Sequence, residues 1–201
     1  MPDYFALFNE PCRPWLDSDL LKQKFLEASA NLHPDKIPSA SETEKIAATK
    51  KFAELNAAYN CLAEPKSRLL HLLELESGAK PKEIQQIPAT LADLFAEVAA
   101  TCRSADNFLV EKAKATSPLL QVQFFERAQE WIERLNSLQI KLNDLRGQLI
   151  DKLKSIDAKW MEANAESKRE LLPQLEDIYR LFGYFNRWNS QIQERIVRLQ
   201  L

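Results

Sequence analysis

Apolar residues recur at alternating steps of three and four along most of this 201-residue chain. Such spacing places them on one face of an α-helix, whereas a half-buried strand alternates apolar and polar residues. The chain also contains only three glycines, Gly78, Gly147 and Gly183, too few for the tight turns of a many-stranded sheet. We therefore predict an all-α protein.

The composition argues against several classes of function, among them nucleic-acid binding, nucleotide binding through a glycine loop, and membrane spanning. Hydrophobic residues make up 45% of the chain, enough to fill a core, and 27 basic side chains nearly balance 29 acidic ones. This balance does not favour binding to nucleic acid, and three glycines cannot build a phosphate-binding glycine loop. No apolar run approaches the ~18 residues that span a membrane, and no basic, apolar leader opens the chain. We expect a cytoplasmic protein without a nucleic-acid or membrane partner.

Side chains that carry catalysis or bind metals are scarce. Cys12, Cys61 and Cys102 are widely separated, so their spacing predicts neither a disulfide framework nor a zinc site. We interpret them as small apolar residues of a protein in a reducing compartment. With only His33 and His71 in the chain, no catalytic triad or metal cluster can be assembled. We expect no enzyme, metal or cofactor, and interpret His71 as a core residue.

The first third of the chain predicts a pair of amphipathic helices behind a short helix at residues 3–8. Asp17 and Ser18 can cap the first of the pair, whose apolar face extends to Leu32. The second runs from Thr43 to Ala63 with the same spacing of apolar residues. The two helices therefore share one apolar seam.

The loop between these two helices contains the tetrapeptide His33-Pro34-Asp35-Lys36. Its proline excludes a continuous helix and favours an extended chain. In this setting the tetrapeptide resembles the signature of a J-domain, and the segment is most similar to the J-domain of HscB-type proteins. Three further segments carry the resemblance: Asp3-Tyr4-Phe5-Ala6-Leu7-Phe8, Leu55-Asn56-Ala57-Ala58-Tyr59 and Glu64-Pro65-Lys66-Ser67-Arg68.

The resemblance implies a partner, since J-domains engage chaperones of the DnaK type and accelerate their ATP hydrolysis. It implies that His33, Pro34 and Asp35 form the tip that contacts the chaperone, where the carboxylate of Asp35 would pair with a chaperone arginine. A charge-assisted contact of this kind contributes ~1.5 to 3 kcal/mol. The catalytic machinery would then lie in the partner.

Basic residues complete the chaperone-binding surface in J-domains, and here Lys36 in the loop and Lys22 and Lys24 on the preceding helix are the candidates. The usual basic run close to the loop is replaced by Glu27-Ala28-Ser29-Ala30-Asn31. Because charge steering mainly sets association rate and specificity, we expect a slow or selective chaperone interaction.

The remaining two thirds predict long helices. One helix begins near Thr90, a second runs from about Leu119 to Trp160, and a third runs from Leu171 to the C-terminus with Pro173 in its first turn. The economical arrangement is an antiparallel three-helix bundle with coiled-coil-like packing. We divide the chain into a J-domain at residues 1–76, a linker at residues 77–88 and a bundle at residues 89–201.

HscB-type proteins also carry a three-helix bundle after the J-domain. The resemblance implies that the bundle binds a client, an iron-sulfur cluster scaffold protein, through an apolar and acidic patch. By position, the candidates lie on the first bundle helix: Leu91, Asp93, Leu94, Phe95, Glu97 and Val98.

An alternative function stays open. A J-like domain fused to long helices would also suit a protein that bridges partners or forms a homodimer through exposed heptads. Aromatic residues on the outside of the bundle, such as Phe108, Tyr184 or Trp188, would favour such a docking surface.

Overall fold

The structure is a computed structural model that describes residues 2–32, 42–81, 87–114 and 117–201. All regular elements in these ranges are helical, which confirms the all-α prediction. No helix in these ranges is long and apolar enough to cross a membrane. The α-helices are α1 (Tyr4–Leu7), α2 (Ser18–Leu32), α3 (Glu42–Ala63), α4 (Pro65–Ser77), α5 (Ala92–Lys112), α6 (Pro118–Glu162) and α7 (Ala165–Gln200).

Local sequence explains where the helices of the first third begin and end. The carboxylate of Asp17 accepts hydrogen bonds from the backbone N–H groups of Asp19 and Leu20, both at 2.9 Å, so Asp17 caps α2 as predicted. Glu64 caps α4 from the residue before its first-turn proline. Gly78 ends α4 in the left-handed conformation, at a φ of 72°, where glycine carries no steric penalty.

The last helix begins earlier than predicted. Asn164 accepts hydrogen bonds from the N–H groups of Glu166 and Ser167, at 3.1 and 2.9 Å, and thereby starts α7 at Ala165. Pro173 consequently lies inside the helix, so its placement in the first turn was wrong. Apolar spacing marks the packed face of a helix, whereas the start is set by the capping residue. Pro173 is exposed, so water can reach the backbone that a proline leaves unpaired.

The chain divides into two compact units. Unit 1 comprises residues 1–82 and 150–180, and unit 2 comprises residues 83–149 and 181–201. Residues 150–180 thus group with the N-terminal part of the chain, whereas the sequence assigned them to the bundle. The domain boundaries at residues 76 and 88 stay a prediction.

Unit 1 contains the helix pair predicted from the first third of the chain. The rings of Phe25 on α2 and Tyr59 on α3 stack with their centroids 4.3 Å apart. Leu21, Leu55 and Leu62 are buried beside them. This is the shared apolar seam expected from the spacing, and α1 and α4 pack against α3 as well.

A buried carboxylate fastens the segment between α1 and α2 to α6 within unit 1. The carboxylate of Asp157 accepts hydrogen bonds from Nε and Nη2 of Arg13. It also accepts one from the backbone N–H of Trp15, at 3.0 Å. The indole N–H of Trp160 donates to the carbonyl of Cys12 at 2.9 Å. Four hydrogen-bonding groups therefore anchor this segment on the last turns of α6.

The guanidinium of Arg68 is the second buried charge of unit 1. Its Nε donates to the carbonyl of Pro14 at 2.9 Å, and its Nη1 donates to the carbonyl of Leu62 at 2.6 Å. Burial lowers the pKa of Arg68 to about 10, which still leaves it charged at neutral pH. Arg68 thus connects α4 to the end of α3 and to the segment anchored by Asp157.

Unit 2 is a bundle built from parts of α5, α6 and α7. Ion pairs join Glu97 to Lys141 and Glu111 to Arg127, so α6 runs antiparallel to α5. The core contains apolar residues from all three helices, among them Val98, Leu135 and Ile192.

The last helix of unit 2 returns parallel to α5. Arg195 pairs with Asp106 at 2.6 Å, and Lys112 donates to the carbonyl of Leu199 at 2.9 Å. The three helices therefore alternate in direction, which confirms the predicted antiparallel three-helix bundle.

His71 is a core residue of unit 1, as interpreted from the sequence. Its Nε2 accepts the backbone N–H of Tyr4 at 3.1 Å, and its ring stacks on Tyr4 and Phe5 with centroid distances of 4.6 and 5.7 Å. Burial lowers the pKa of His71 from its ordinary value of 6.5, although the carboxylates of Asp3 and Glu74 oppose this shift. The folded state therefore favours the neutral imidazole.

This requirement predicts a pH-dependent stability. Because the unfolded chain protonates His71 near pH 6.5 and the folded chain only at lower pH, the free energy of unfolding should fall as the pH drops below 6.5. His71→Gln should lose this component, whereas His33→Gln, which changes the second histidine of the chain, should retain it. Thermal unfolding of the three proteins at pH 7.5 and 5.5 provides the measurement. Equal pH dependence in His71→Gln and the wild type would contradict the prediction.

Candidate functional site

The predicted chaperone-binding tip lies between α2 and α3 in the sequence. The helix α2 ends at Leu32 and α3 begins at Glu42, and the two helices pack against each other. His33, Pro34, Asp35 and Lys36 lie outside the described residues, so their role stays a prediction. The structure does describe the two helices that precede and follow this segment.

The two lysines predicted on α2 differ in their surroundings. The Nζ of Lys24 donates to the carbonyl of Phe8 at 3.2 Å and pairs with the carboxylate of Glu10 at 2.5 Å. Lys24 therefore holds the segment after α1 against α2. Lys22 is exposed and forms no ion pair within the described part of the chain. Of the two, Lys22 is the cation available to a partner.

The outer face of α2 is nearly neutral. Besides Lys22 it exposes Leu26, which is 56% accessible, and Gln23, whose amide donates to the carboxylate of Glu27 at 3.0 Å. One free cation, Lys22, and two exposed carboxylates, Asp19 and Glu27, leave this face of α2 without net positive charge. This arrangement agrees with the weak electrostatic steering expected from the sequence.

Two further exposed lysines lie on α3 and were missed by the analysis of the sequence. Lys50 and Lys51 both face solvent. The signal was present, because they occupy the polar side of the apolar pattern that ends in Leu55 and Leu62. They are additional candidates for contact with an acidic partner surface.

The six residues predicted to bind a client separate into two groups. Leu91, Leu94 and Val98 belong to the buried core of unit 2. The other three, Asp93, Phe95 and Glu97, are exposed. Only the second group is accessible to a partner, because positions 91, 94 and 98 are the inward-facing repeat of the same helix.

Phe95 is the apolar residue of the accessible group. Its side chain is 42% exposed, and its ring lies 6.2 Å from that of Trp188, measured between centroids. Glu97 is engaged by Lys141. Asp93 and Glu97 are four residues apart on one side of α5, whereas Phe95 lies on the side that meets Trp188 of α7, so the accessible residues occupy two neighbouring sides of the helix.

The aromatic residues that would have favoured a bridging protein lie inside unit 2. Phe108, Tyr184 and Trp188 are at most 6% exposed. Their rings pack within the core. They therefore provide no external docking surface.

The three cysteines are poor nucleophiles. Cys102 is buried and the other two are half-buried, and all three are free thiols. Burial raises the pKa of Cys12 to about 12 and that of Cys61 to about 11. Both thiols are therefore protonated at neutral pH.

Comparison with known proteins agrees with this geometry. Residues 12–71 match the family model described as the DnaJ domain. The chain carries a DnaJ domain. This match spans α2, the segment with the His-Pro-Asp sequence, α3 and the first part of α4, and it confirms the J-domain identified from the sequence.

Two solved structures share the fold over nearly the whole chain. The chaperone HscB from Vibrio cholerae is similar with a TM-score of 0.58 and 22% identity, covering 96% of both chains. The human co-chaperone protein HscB is similar with a TM-score of 0.63 and 20% identity, covering 96% of this chain and 81% of the other. The fold is therefore that of HscB, a J-domain followed by a helical bundle.

The two lysines of α2 provide a test of the site geometry. Lys24→Gln should lower the free energy of unfolding by about 0.5 to 1 kcal/mol, because it loses a partly exposed ion pair and a bond to a carbonyl. Lys22→Gln should leave stability unchanged, because the side chain is exposed without an ion pair in the described structure. Urea unfolding of both variants measures the difference. Equal losses would show that Lys24 is not a structural residue.

Proposed function

We propose that the protein is a co-chaperone that stimulates ATP hydrolysis by a DnaK-type chaperone. The observation that carries the proposal is the DnaJ domain at residues 12–71, with the His33-Pro34-Asp35 sequence between two packed helices. An HscB-like fold over 96% of the chain supports the same function. The chain contributes recognition, and hydrolysis takes place in the chaperone.

In this proposal Asp35 supplies the decisive charge. A carboxylate at the tip can form a bidentate pair with a chaperone arginine, which gives both attraction and a defined orientation. The flanking Pro34 restricts the backbone, so less conformational entropy is lost when the loop binds. With one free lysine on the outer face of α2 and two exposed lysines, Lys50 and Lys51, on α3, we expect contact at the tip to provide the larger part of the affinity.

We further propose that unit 2 binds the client, an iron-sulfur cluster scaffold protein. Phe95 is the exposed aromatic residue of the predicted client segment, and Asp93 and Glu97 are exposed carboxylates on the neighbouring side of the same helix. An exposed ring partly seated on the protein is a typical anchor of an interface. The carboxylates would orient a basic segment of the partner.

The chaperone contact is tested by Asp35→Asn, which removes one charge and keeps the size of the side chain. Stimulation of chaperone ATP hydrolysis should be abolished, while the helical circular dichroism and the thermal midpoint should stay unchanged. Asp19→Asn, which changes an exposed carboxylate in the first turn of α2, serves as the control and should retain stimulation. Full stimulation by Asp35→Asn would refute the assignment.

The client contact is tested by Phe95→Ser. Loss of a central aromatic anchor should weaken scaffold binding at least about tenfold, as measured by calorimetry. The control is Ile140→Ser, since Ile140 is another exposed apolar residue of unit 2 and is 61% accessible. An unchanged affinity of a folded Phe95→Ser variant would place the client site elsewhere.

A further inference from the structure

Charged residues form a regular ladder between α5 and α6 in unit 2. On α5 the ladder positions are 97, 104 and 111, and on the antiparallel α6 they are 141, 134 and 127, each one heptad apart. The outer rungs are the ion pairs of Glu97 with Lys141 and of Glu111 with Arg127. The middle rung brings Ser104 opposite Arg134, so the carboxylate expected from the pattern is missing.

The missing carboxylate coincides with an open groove. A groove of about 620 Å³ lies between the two helices, and both Ser104 and Arg134 line it. Its α5 side also carries Ala100 and Thr101, so small side chains leave room on this helix. A volume of this size is within the range of ligand-binding clefts.

The guanidinium of Arg134 is positioned by an aromatic ring and is available to an anion. It stacks over the ring of Trp131, 5.0 Å from the ring centroid, and has no carboxylate partner among the described residues. Stacking restricts the side chain, so less entropy is lost when its donors bind a ligand. Arg127 differs, since it lies over aromatic rings and is also paired with Glu111.

We propose that this groove binds a peptide segment of a partner protein through one carboxylate, which completes the middle rung by pairing with Arg134. An apolar neighbour of that carboxylate would contact the ring of Trp131. The lining residues carry two cations, Arg134 and Lys141, and one carboxylate, Glu97. A net charge of one suits a single carboxylate better than the repeated phosphates of a nucleic acid. The proposal shares Glu97 with the predicted client segment, but Phe95 lies toward Trp188 of α7 and does not line the groove, and the chaperone interaction is not required.

The binding test uses the full chain and a capped pentapeptide, Ala-Leu-Glu-Leu-Ala, with its Gln counterpart and a short single-stranded oligonucleotide as comparisons. Titration is followed by the indole N–H resonance of Trp131 in NMR spectra. We expect the Glu peptide to bind at least about tenfold more tightly than the Gln peptide and the oligonucleotide. Arg134→Gln should remove this preference, and Arg103→Gln, an exposed cation of α5 outside the groove lining, should retain it.

A second variant supplies the missing carboxylate from the chain itself. Ser104→Glu should pair with Arg134, raise the midpoint of thermal unfolding above that of Ser104→Gln, and abolish binding of the Glu peptide. Three results would overturn the proposal: no binding of the Glu peptide, equal binding of the Glu and Gln peptides, or unchanged binding in Arg134→Gln. Tighter, Arg134-dependent binding of the oligonucleotide would also overturn it, because the groove would then be a phosphate site.

Discussion

The carboxylate of Asp157 is the interaction on which unit 1 depends. It is 3% exposed, and a buried charge without a partner would be strongly destabilising. Arg13 and the backbone of Trp15 satisfy it from more than 140 residues away in the sequence. Because α2 begins three residues after Trp15, this contact anchors the segment that leads into the helix before the His33-Pro34-Asp35 sequence.

Local patterns in the sequence predicted the helices well and the long-range contacts poorly. The apolar spacing and the cap at Asp17 identified the helix pair of the J-domain, since both signals lie within a few residues of each other. The pairing of Arg13 with Asp157 could not be predicted, because nothing local distinguishes either residue from an exposed charge. The early start of α7 was missed because Asn164 lies outside the apolar repeat.

At the candidate sites, too, the sequence predicted the position of residues along a helix better than their contacts in the fold. A family resemblance places a patch by position along the helix, but burial decides which side chains a partner can reach. Leu94 and Val98 pack inward whereas Phe95 is accessible, a distinction already contained in the helical repeat. Lys24 required the structure, because its carboxylate partner Glu10 belongs to the segment after α1. A nearly neutral α2 face then follows, and in the proposed function it would favour selection of the chaperone by contact at the tip over attraction at a distance.

The proposed co-chaperone function, with a client bound to the bundle, is tested most directly by single-turnover ATP hydrolysis. The measurement uses a DnaK-type chaperone of the source organism, with the wild-type chain or His33→Gln, and with or without an iron-sulfur cluster scaffold protein. We expect stimulation by the wild type, a further increase with the scaffold, and loss of both in His33→Gln. Equal hydrolysis rates with the wild type and the variant would contradict a co-chaperone function that acts through this loop.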